Sequence, residues 1–429
     1  MKLPFVNPDR PPPGPFRPGF WRSPLRGPWL TSLFGFALLI AIPIVAITGF
    51  LSNDAYDPRL GTNAAGRHVG PLDFYLFPWP THPSWIYALT QGLHVTIGLA
   101  ATPILLAKLW SVIPKLFEWP PVRNPAHALE RLSLALLVGG ALFEFATGIL
   151  DIQYSYLFKF VFLDAHYYGA WIFSAAFVFH ASIKLGTMRS SLATRRALTP
   201  LMDDLAHTLP EPVPAQGSEL IASAPEPPTM SRRTLVGTVG FGSLLLLIQG
   251  AGDSLGGPLR SLAFLGPRDR HGGGPNGFAI NRTAQAASIS AADVGSGWML
   301  QLEGPHTKMN VSRAQLQAMP QHSYDLPIAC VEGWSTTQHW TGVRVRDLAA
   351  AVGMGGQATV LSKSLEQGGV FSSATLAANE VSDDRTLLAL QVNGVDLSLD
   401  HGFPARIIAP GVPGVHCTKW VSKMTFQAA

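Results

Sequence analysis

The sequence predicts a multidomain protein: an all-α transmembrane helix bundle of four spans plus a fifth anchor span, followed by an α+β domain. Three observations predict it. Charged residues make up only 14% of the 429 residues, against roughly 25% in ordinary soluble proteins, and the mean hydropathy is +0.21. The charge depletion is concentrated in the first half, where uncharged runs recur at span length. From about Leu265 the texture changes to short alternating apolar runs broken by Gly, Pro and Asn, the patterning of strands.

The elements follow in chain order. Residues 1–27 read as a Pro- and Arg-rich cytoplasmic tail, not as a standard signal peptide. Residues 28–198 hold four apolar segments, Leu30–Phe50, Trp85–Ala107, Leu132–Leu150 and Tyr167–Ile183. A bilayer core of about 30 Å needs roughly 20 helical residues, and about 17 suffice with snorkelling ends. One such segment could be a buried soluble helix, but four in succession, flanked by charge, predict a membrane bundle. Residues 199–230, rich in Pro, Ala and acidic side chains, read as a cytoplasmic linker without a packed core. Residues 231–252 open with a paired arginine, "SRRTLVG", and continue as the uncharged fifth span Thr234–Gly252. Residues 253–429 form the α+β domain. Its strands are read at "GWMLQLEG", "YDLPIACVEG", "TLLALQVNG" and "ARIIAPG", and its short helices at "SRAQLQAM" and "GVRVRDLAAAVG".

Orientation follows from the basic residues. Lys2, Arg10, Arg17, Arg22 and Arg26 precede the first span, and Lys108, Lys115, Arg123 and Arg131 lie between the second and third. Lys184, Arg189, Arg195 and Arg196 follow the fourth, and Arg232 and Arg233 precede the fifth. The other two connections carry Asp54, Asp57 and Asp73, then Asp151 and Asp164. Every basic flank falls on one side, the cytoplasm, so an odd number of spans sends everything after Asp253 outside. A net charge of +4 is too small to argue for nucleic acid. Two cysteines, Cys330 and Cys417, make no disulfide framework and no zinc-ligand spacing.

Histidine inside a span is polar at a cost and marks function more often than not. His166 and His180 are fourteen residues apart, about 40° short of a whole number of turns and ~21 Å of rise, which puts both on one helix face. His94 lies in the second span, and His82 stands at its outer end before Pro83. An inner pair, His94 with His180, and an outer pair, His82 with His166, are candidate axial ligands for haem b, one or two, because neutral imidazole suits iron. His82 fits only if the chain leaves the helix at Pro83, with His68 as its substitute. Hydrogen bonding within the bundle is the plainer role for all four. The spacing resembles di-haem cytochrome b membrane subunits over roughly residues 28–190. Glu144, the single formal charge in those spans, is either a carboxyl bonded to a neighbouring helix or a proton relay beside a quinone site.

In the last domain Cys330 begins the turn "CVEGWS" after a strand-like run, and Trp340-Thr341-Gly342-Val343 follows. A second block reads "NGVDLSLDHGFPARIIAPGVPGVHCTKW". These two ordered blocks, within about Phe278 to Phe426, resemble the sulfite oxidase fold family, particularly the bacterial exported methionine-sulfoxide reductase subunit. The resemblance implies that Cys330 is the thiolate ligand of molybdenum at the catalytic centre. It implies too that His401, Gly402, Arg406 and Lys419 bind the molybdopterin. The residue types suit those roles: a soft thiolate for a metal already held by sulfur, and an Arg fork and a Lys point charge for a phosphate. A buried inert thiol is the bland alternative for Cys330, and Cys417 reads as core, with an approach to the cofactor as its alternative.

A cofactor of that kind is inserted before export, so "SRRTLVG" reads as a twin-arginine signal retained as the fifth anchor, unless the pair is merely a positive-inside flank. The expected protein is a multi-pass enzyme of a bacterial plasma membrane, with its N-terminus cytoplasmic and its catalytic domain periplasmic or extracellular. Its partners would be membrane lipids, quinone or quinol, and a small oxygen-atom donor or acceptor. S-oxide reduction is the first expectation and sulfite-type oxidation the second. A non-catalytic pterin-pocket module on an anchor, or a transmembrane haem reductase with an accessory domain, are the other classes the residues leave open.

Overall fold

The computed structural model describes residues 10–60, 63, 75–153, 157–160, 162–195, 198–213, 220–268, 275–355, 357–369 and 371–429. Five long helices come first: α1 (Pro28–Ala55), α2 (Ile86–Leu116), α3 (Pro125–Asp151), α4 (Phe162–Thr194) and α5 (Arg232–Leu255). Each is long and apolar enough to cross a membrane. Large apolar side chains such as Ile47, Leu106, Val178 and Phe241 stand exposed along them, as lipid contact requires and water does not favour. All five run past the apolar segments that predict them. α2 includes Lys108 and Lys115, counted above as flanking charge, because Lys108 Nζ donates to the Thr31 carbonyl at 2.7 Å and thereby stays inside the helix.

The strand-rich part contains β1 (Met299–Glu303), β2 (Lys308–Ser312), α6 (Arg313–Ala318), β3 (His322–Ala329), β4 (Ser335–Arg344) and α7 (Val345–Ala351). It continues with β5 (Ala358–Ser364), β6 (Ser373–Leu376), α8 (Ala378–Ser382), β7 (Leu387–Val392), β8 (Val395–Asp396), β9 (Arg406–Ile408) and β10 (Val421–Ala428). One sheet runs β2-β1-β10-β5-β6; the other runs β3-β4-β7-β8, with β9 also on β7. Only β1–β10 is parallel among the described pairs. Alternation explains the burial: β1 and β5 each show every second side chain inward. Their inward residues join one apolar core with Trp340, Leu348, Leu388, Ile407 and Phe426.

The chain divides into two compact units that do not follow chain order. Unit 1 is Met1–Ala46, Ile97–Ile149 and His166–Leu247. Its centre is Leu38, Ile42, Ala101, Leu105, Ala141 and Phe173. The stretch expected to be a free linker is fastened to this unit. Glu211 is buried and its carboxylate accepts from the Trp29 and Leu30 amides at 2.8 and 3.3 Å, satisfying the exposed N–H groups that open α1. Arg232, first of the arginine pair, is fully buried and donates to the Pro24 and Leu209 carbonyls, both at 2.8 Å.

Unit 2 is Ile47–Thr96, Leu150–Ala165 and Ile248–Ala429. The last turns of α1, the first turns of α2 and the end of α5 therefore pack within the same unit as the sheets. The run "GVRVRDLAAAVG", read as a helix, begins as strand instead. Gly342 is needed there: a Cβ on it would collide with the Leu388 carbonyl oxygen and lie 2.6 Å from the Ala389 Cα, at a register shift between β4 and β7. Gly342→Ala is expected to destabilise this unit by about 1–3 kcal/mol, read as a lowered midpoint in thermal unfolding; an unchanged midpoint would refute the close approach.

Candidate functional site

Cys330 stands at the tip of the β3–β4 hairpin. Ala329 pairs with Ser335, and the five residues between them close on themselves. The Cys330 amide donates to the Trp334 carbonyl at 2.9 Å, and the Gly333 amide to the Cys330 carbonyl at 3.0 Å. Gly333 takes φ 92°, a conformation open to glycine at little cost. Glu332 orients the turn through its carboxylate, which accepts from Trp334 Nε1 at 2.9 Å and from Arg268 Nε at 2.8 Å, with a second contact to the same guanidinium. Sequence reasoning missed Arg268, which lies in a stretch without motif signal. Burial pushes the Cys330 thiol above its usual range, and the Glu332 charge adds to that.

The turn is held from its other side by the ends of the long helices. Gln91 Nε2 on α2 donates to the Val331 carbonyl at 2.5 Å, and Gln91 Oε1 accepts from Ser52 Oγ of α1 at 2.7 Å. Ser254 Oγ of α5 donates to the Gly333 carbonyl at 2.9 Å, and Ser335 Oγ donates to the Ser254 carbonyl at 2.5 Å. The turn that carries the candidate thiolate is thus pinned by the ends of α2 and α5 within unit 2, with α1 bracing Gln91.

His401, Gly402, Arg406 and Lys419 come together in the same unit. His401 is 2% exposed and stacks on Phe278 with ring centroids 3.7 Å apart. Gly402, at φ 104°, lies flat against its neighbours: a Cβ there would sit 3.1 Å from Lys419 Cβ and 3.2 Å from Arg406 Cβ. Arg406 donates to the His401 carbonyl at 3.1 Å and the Cys417 carbonyl at 3.4 Å. Lys419 Nζ donates to the Asp400 carbonyl at 2.9 Å and to the Arg282 carbonyl. Both cations are buried, and neither forms an ion pair with a carboxylate among the described residues. Burial lowers Arg406 to about 10 and drives Lys419 well below its usual range. Burial first, then Arg406 and Lys419, pulls His401 down to about 3.

Two buried cations satisfied only by carbonyl oxygens are costly unless an anion arrives. His401 Nε2 and Arg406 Nε also lack hydrogen-bond partners among the described residues. An anionic pterin fits this cradle: it would meet fixed donors and neutralise the charge. No cluster of three His, Cys, Asp or Glu side chains suited to a metal occurs among the described residues. Cys417 is buried in the core cluster, as its surroundings predict.

The histidines of the long helices fall in different settings. α4 is unbroken from Phe162 to Thr194, so His166 and His180 do share a face, the one that buries Phe173 and Ala176. His166 Nδ1 lies 3.1 Å from Glu144 Oε2 and 3.3 Å from Thr147 Oγ1. A Cβ on Gly169 would collide with the Glu144 carboxyl, so glycine admits that contact. Glu144 is therefore bonded to a neighbouring helix. The His94 ring presses on Gly49, where a Cβ would come within 2.8 Å of Cε1. His82 lies before α2, is 73% exposed, and places Nε2 3.2 Å from Asp383 Oδ2 and 2.9 Å from an Arg385 nitrogen. His68 lies outside the described residues.

Residues 287–429 match the family described as Oxidoreductase molybdopterin binding domain. An uncharacterized oxidoreductase of Bacillus subtilis, YuiH, is 30% identical over 131 residues, 30% of this chain and 65% of that protein. The mitochondrial sulfite oxidase of Mus musculus is 27% identical over 146 residues, 28% of this chain and 27% of that enzyme. The sulfane dehydrogenase SoxCD of Paracoccus pantotrophus, a solved structure, is similar over 31% of this chain and 39% of that one, at 20% identity and a TM-score of 0.29. The chain spans less than two thirds of the length of these relatives. The C-terminal strand-rich domain is a molybdopterin oxidoreductase domain of the sulfite oxidase type.

The buried cations make a two-sided prediction. Lys419→Met is expected to stabilise the cofactor-free protein by about 1 kcal/mol or more, since it removes an unpaired buried charge. The same variant is expected to retain at least roughly tenfold less pterin. Denaturant unfolding and fluorescence of the released, oxidised pterin read the two effects. Lower stability together with full retention would contradict the anion cradle.

Proposed function

We propose that this chain is a membrane-bound molybdopterin oxidoreductase that transfers an oxygen atom outside the membrane and exchanges electrons with the quinone pool through b-type haem. The observation that supports the first half most strongly is the pair of buried, carboxylate-free cations Arg406 and Lys419, packed against Gly402. The favoured reaction is S-oxide reduction: a dialkyl sulfoxide takes up two electrons and two protons and gives the dialkyl sulfide and one water. The S–O bond breaks, its oxygen leaves in the water, and a quinol supplies the electrons and protons as it is oxidised to quinone. When bound, the molybdenum supplies the two-electron oxygen-atom chemistry. The protein's own residues do the rest. Cys330 would supply the thiolate, Glu332 and Arg268 hold its turn, and His401, Gly402, Arg406 and Lys419 would hold the pterin.

His94, His166 and His180 are the haem ligands of this reading. Glu144, against His166 Nδ1, would fix that ring's orientation, as carboxylates commonly do behind ligating histidines. His82 is left out, since its Nε2 is engaged by Asp383 and Arg385 and its ring is exposed. The positive flanks support an inside N-terminus and an exterior catalytic domain. The paired arginines Arg232 and Arg233 support export of the folded, loaded domain.

Optical spectra of the detergent-solubilised protein test this reading. A quinol is expected to bring up reduced b-type haem bands, and an added dialkyl sulfoxide is expected to bleach them. His180→Ala should lose about half of the band intensity or more, and Cys330→Ser should keep reducible haem that sulfoxide no longer reoxidises. A colourless protein would leave only an anchor, and sulfoxide reoxidation in Cys330→Ser would remove the molybdenum domain from the path.

A further inference from the structure

The peptide unit joining Val331 to Glu332, one residue past the candidate thiolate, is held at both of its polar ends. Its carbonyl accepts from Gln91 Nε2 of α2 at 2.5 Å. Its N–H hydrogen-bonds the Cys330 sulfur. In a planar trans peptide these two groups point in opposite directions, so a donor that fixes the carbonyl also aims the N–H. Gln91 is 4% exposed. A backbone carbonyl can only accept, so Nε2 has to face Val331, and Oε1 is left to accept from Ser52 Oγ of α1, at 2.7 Å. The serine thereby locks the amide in the one orientation that serves the turn.

The backbone behind Gln91 is as fixed as its amide. α2 and α5 approach closely at small residues: a Cβ on Gly92 would lie 2.9 Å from Ser254 Oγ, and one on Gly250 would lie 3.0 Å from the Thr96 Cα. The turn sits on this contact. A Cβ on Gly333 would lie 2.7 Å from Val95 Cβ, one helical turn past Gln91, and Ser254 Oγ holds the Gly333 carbonyl at 2.9 Å. All of these residues belong to unit 2. The Cys330 and Trp334 carbonyls are taken by amides of the turn itself, so the carbonyls of Val331 and Gly333 are the ones the helices claim.

What that N–H does depends on the sulfur's partner. On a free thiol it is a weak contact. On a thiolate bound to a metal it withdraws charge and favours the reduced metal, one of the levers on a centre's reduction potential. We propose that Gln91 is a positioning residue for the metal thiolate: from α2 it aims the Glu332 N–H at the Cys330 sulfur and so holds the reduction potential of the centre up. Ser52 acts through it by fixing the amide. This rests on the molybdenum reading above and adds to it a residue outside the molybdopterin domain that tunes the metal without touching it.

The test uses the full chain purified with its cofactor, with molybdenum analysis, a redox titration of the metal and the paramagnetic resonance of its half-reduced state. Gln91→Leu keeps the bulk of the side chain and removes the donor. It is expected to keep its molybdenum, to shift the resonance and to lower the midpoint. At a fixed potential the reduced-to-oxidised ratio should fall about tenfold, ~59 mV for a one-electron couple. Ser52→Ala is expected to move both readouts the same way by less, and to add nothing in the Gln91→Leu background, because it acts through the same amide. A merely structural role would move neither readout at full molybdenum. A wild-type midpoint and resonance in Gln91→Leu, at full molybdenum, overturn the proposal and leave the metal reading standing, as does a Ser52→Ala effect that adds in full to that of Gln91→Leu. Should Gln91→Leu lose the metal, Ser52→Ala decides alone, and an unmoved midpoint there overturns the role. Wild type devoid of molybdenum overturns both.

Discussion

Two positive charges with no negative partner organise the C-terminal domain. Arg406 and Lys419 are buried on either side of Gly402 and direct their donors to backbone carbonyls. A folded protein keeps such groups where something anionic satisfies them, because desolvating a cation costs several kcal/mol and carbonyl dipoles offset only part of it. The glycine matters as much as the charges, since any side chain there would fill the space between them. From that constraint follow the stacked His401 behind the cradle and the strand β9 that delivers Arg406. The molybdopterin-domain match over 287–429 falls on the same residues.

The second constraint is mechanical. A metal-binding cysteine on a hairpin tip would wander if left to the hairpin alone. Here Glu332 and Arg268 tie the turn from one side, and Gln91 and Ser254 tie its carbonyls from the ends of α2 and α5. The helices therefore act as part of the turn's scaffold within unit 2 and are more than an anchor. Gln91 is buried and shares α2 with His94, one turn further along. That arrangement gives a short covalent and hydrogen-bonded route from the thiol turn into the helix.

Much of this was legible in the residues. Uncharged runs marked all five helices, and "CVEGWS" and "HGFPAR" located the thiol turn and the cradle, because those positions need particular side chains at fixed offsets. Ends were less legible: hydropathy stops at Ala107, but the helix continues to Leu116 because Lys108 finds the Thr31 carbonyl. The supposed linker reads as polar and Pro-rich, yet Glu211 caps α1, a contact 182 residues distant that no local pattern announces. Arg268 was invisible for the same reason. His82 shows the reverse case: its place at the outer end of the second span made it a candidate although its spacing to His94 did not fit, and its Nε2 lies 3.2 Å from Asp383 Oδ2.

The most direct measurement is the molybdenum-to-protein ratio of the purified full chain, set beside that of Cys330→Ala. About one atom per chain in wild type, falling severalfold in the variant while far-ultraviolet circular dichroism stays the same, is the predicted result. A wild-type protein that is folded yet empty of the metal, or a variant that keeps its full complement, would contradict a thiolate-held cofactor at the tip of the β3–β4 hairpin.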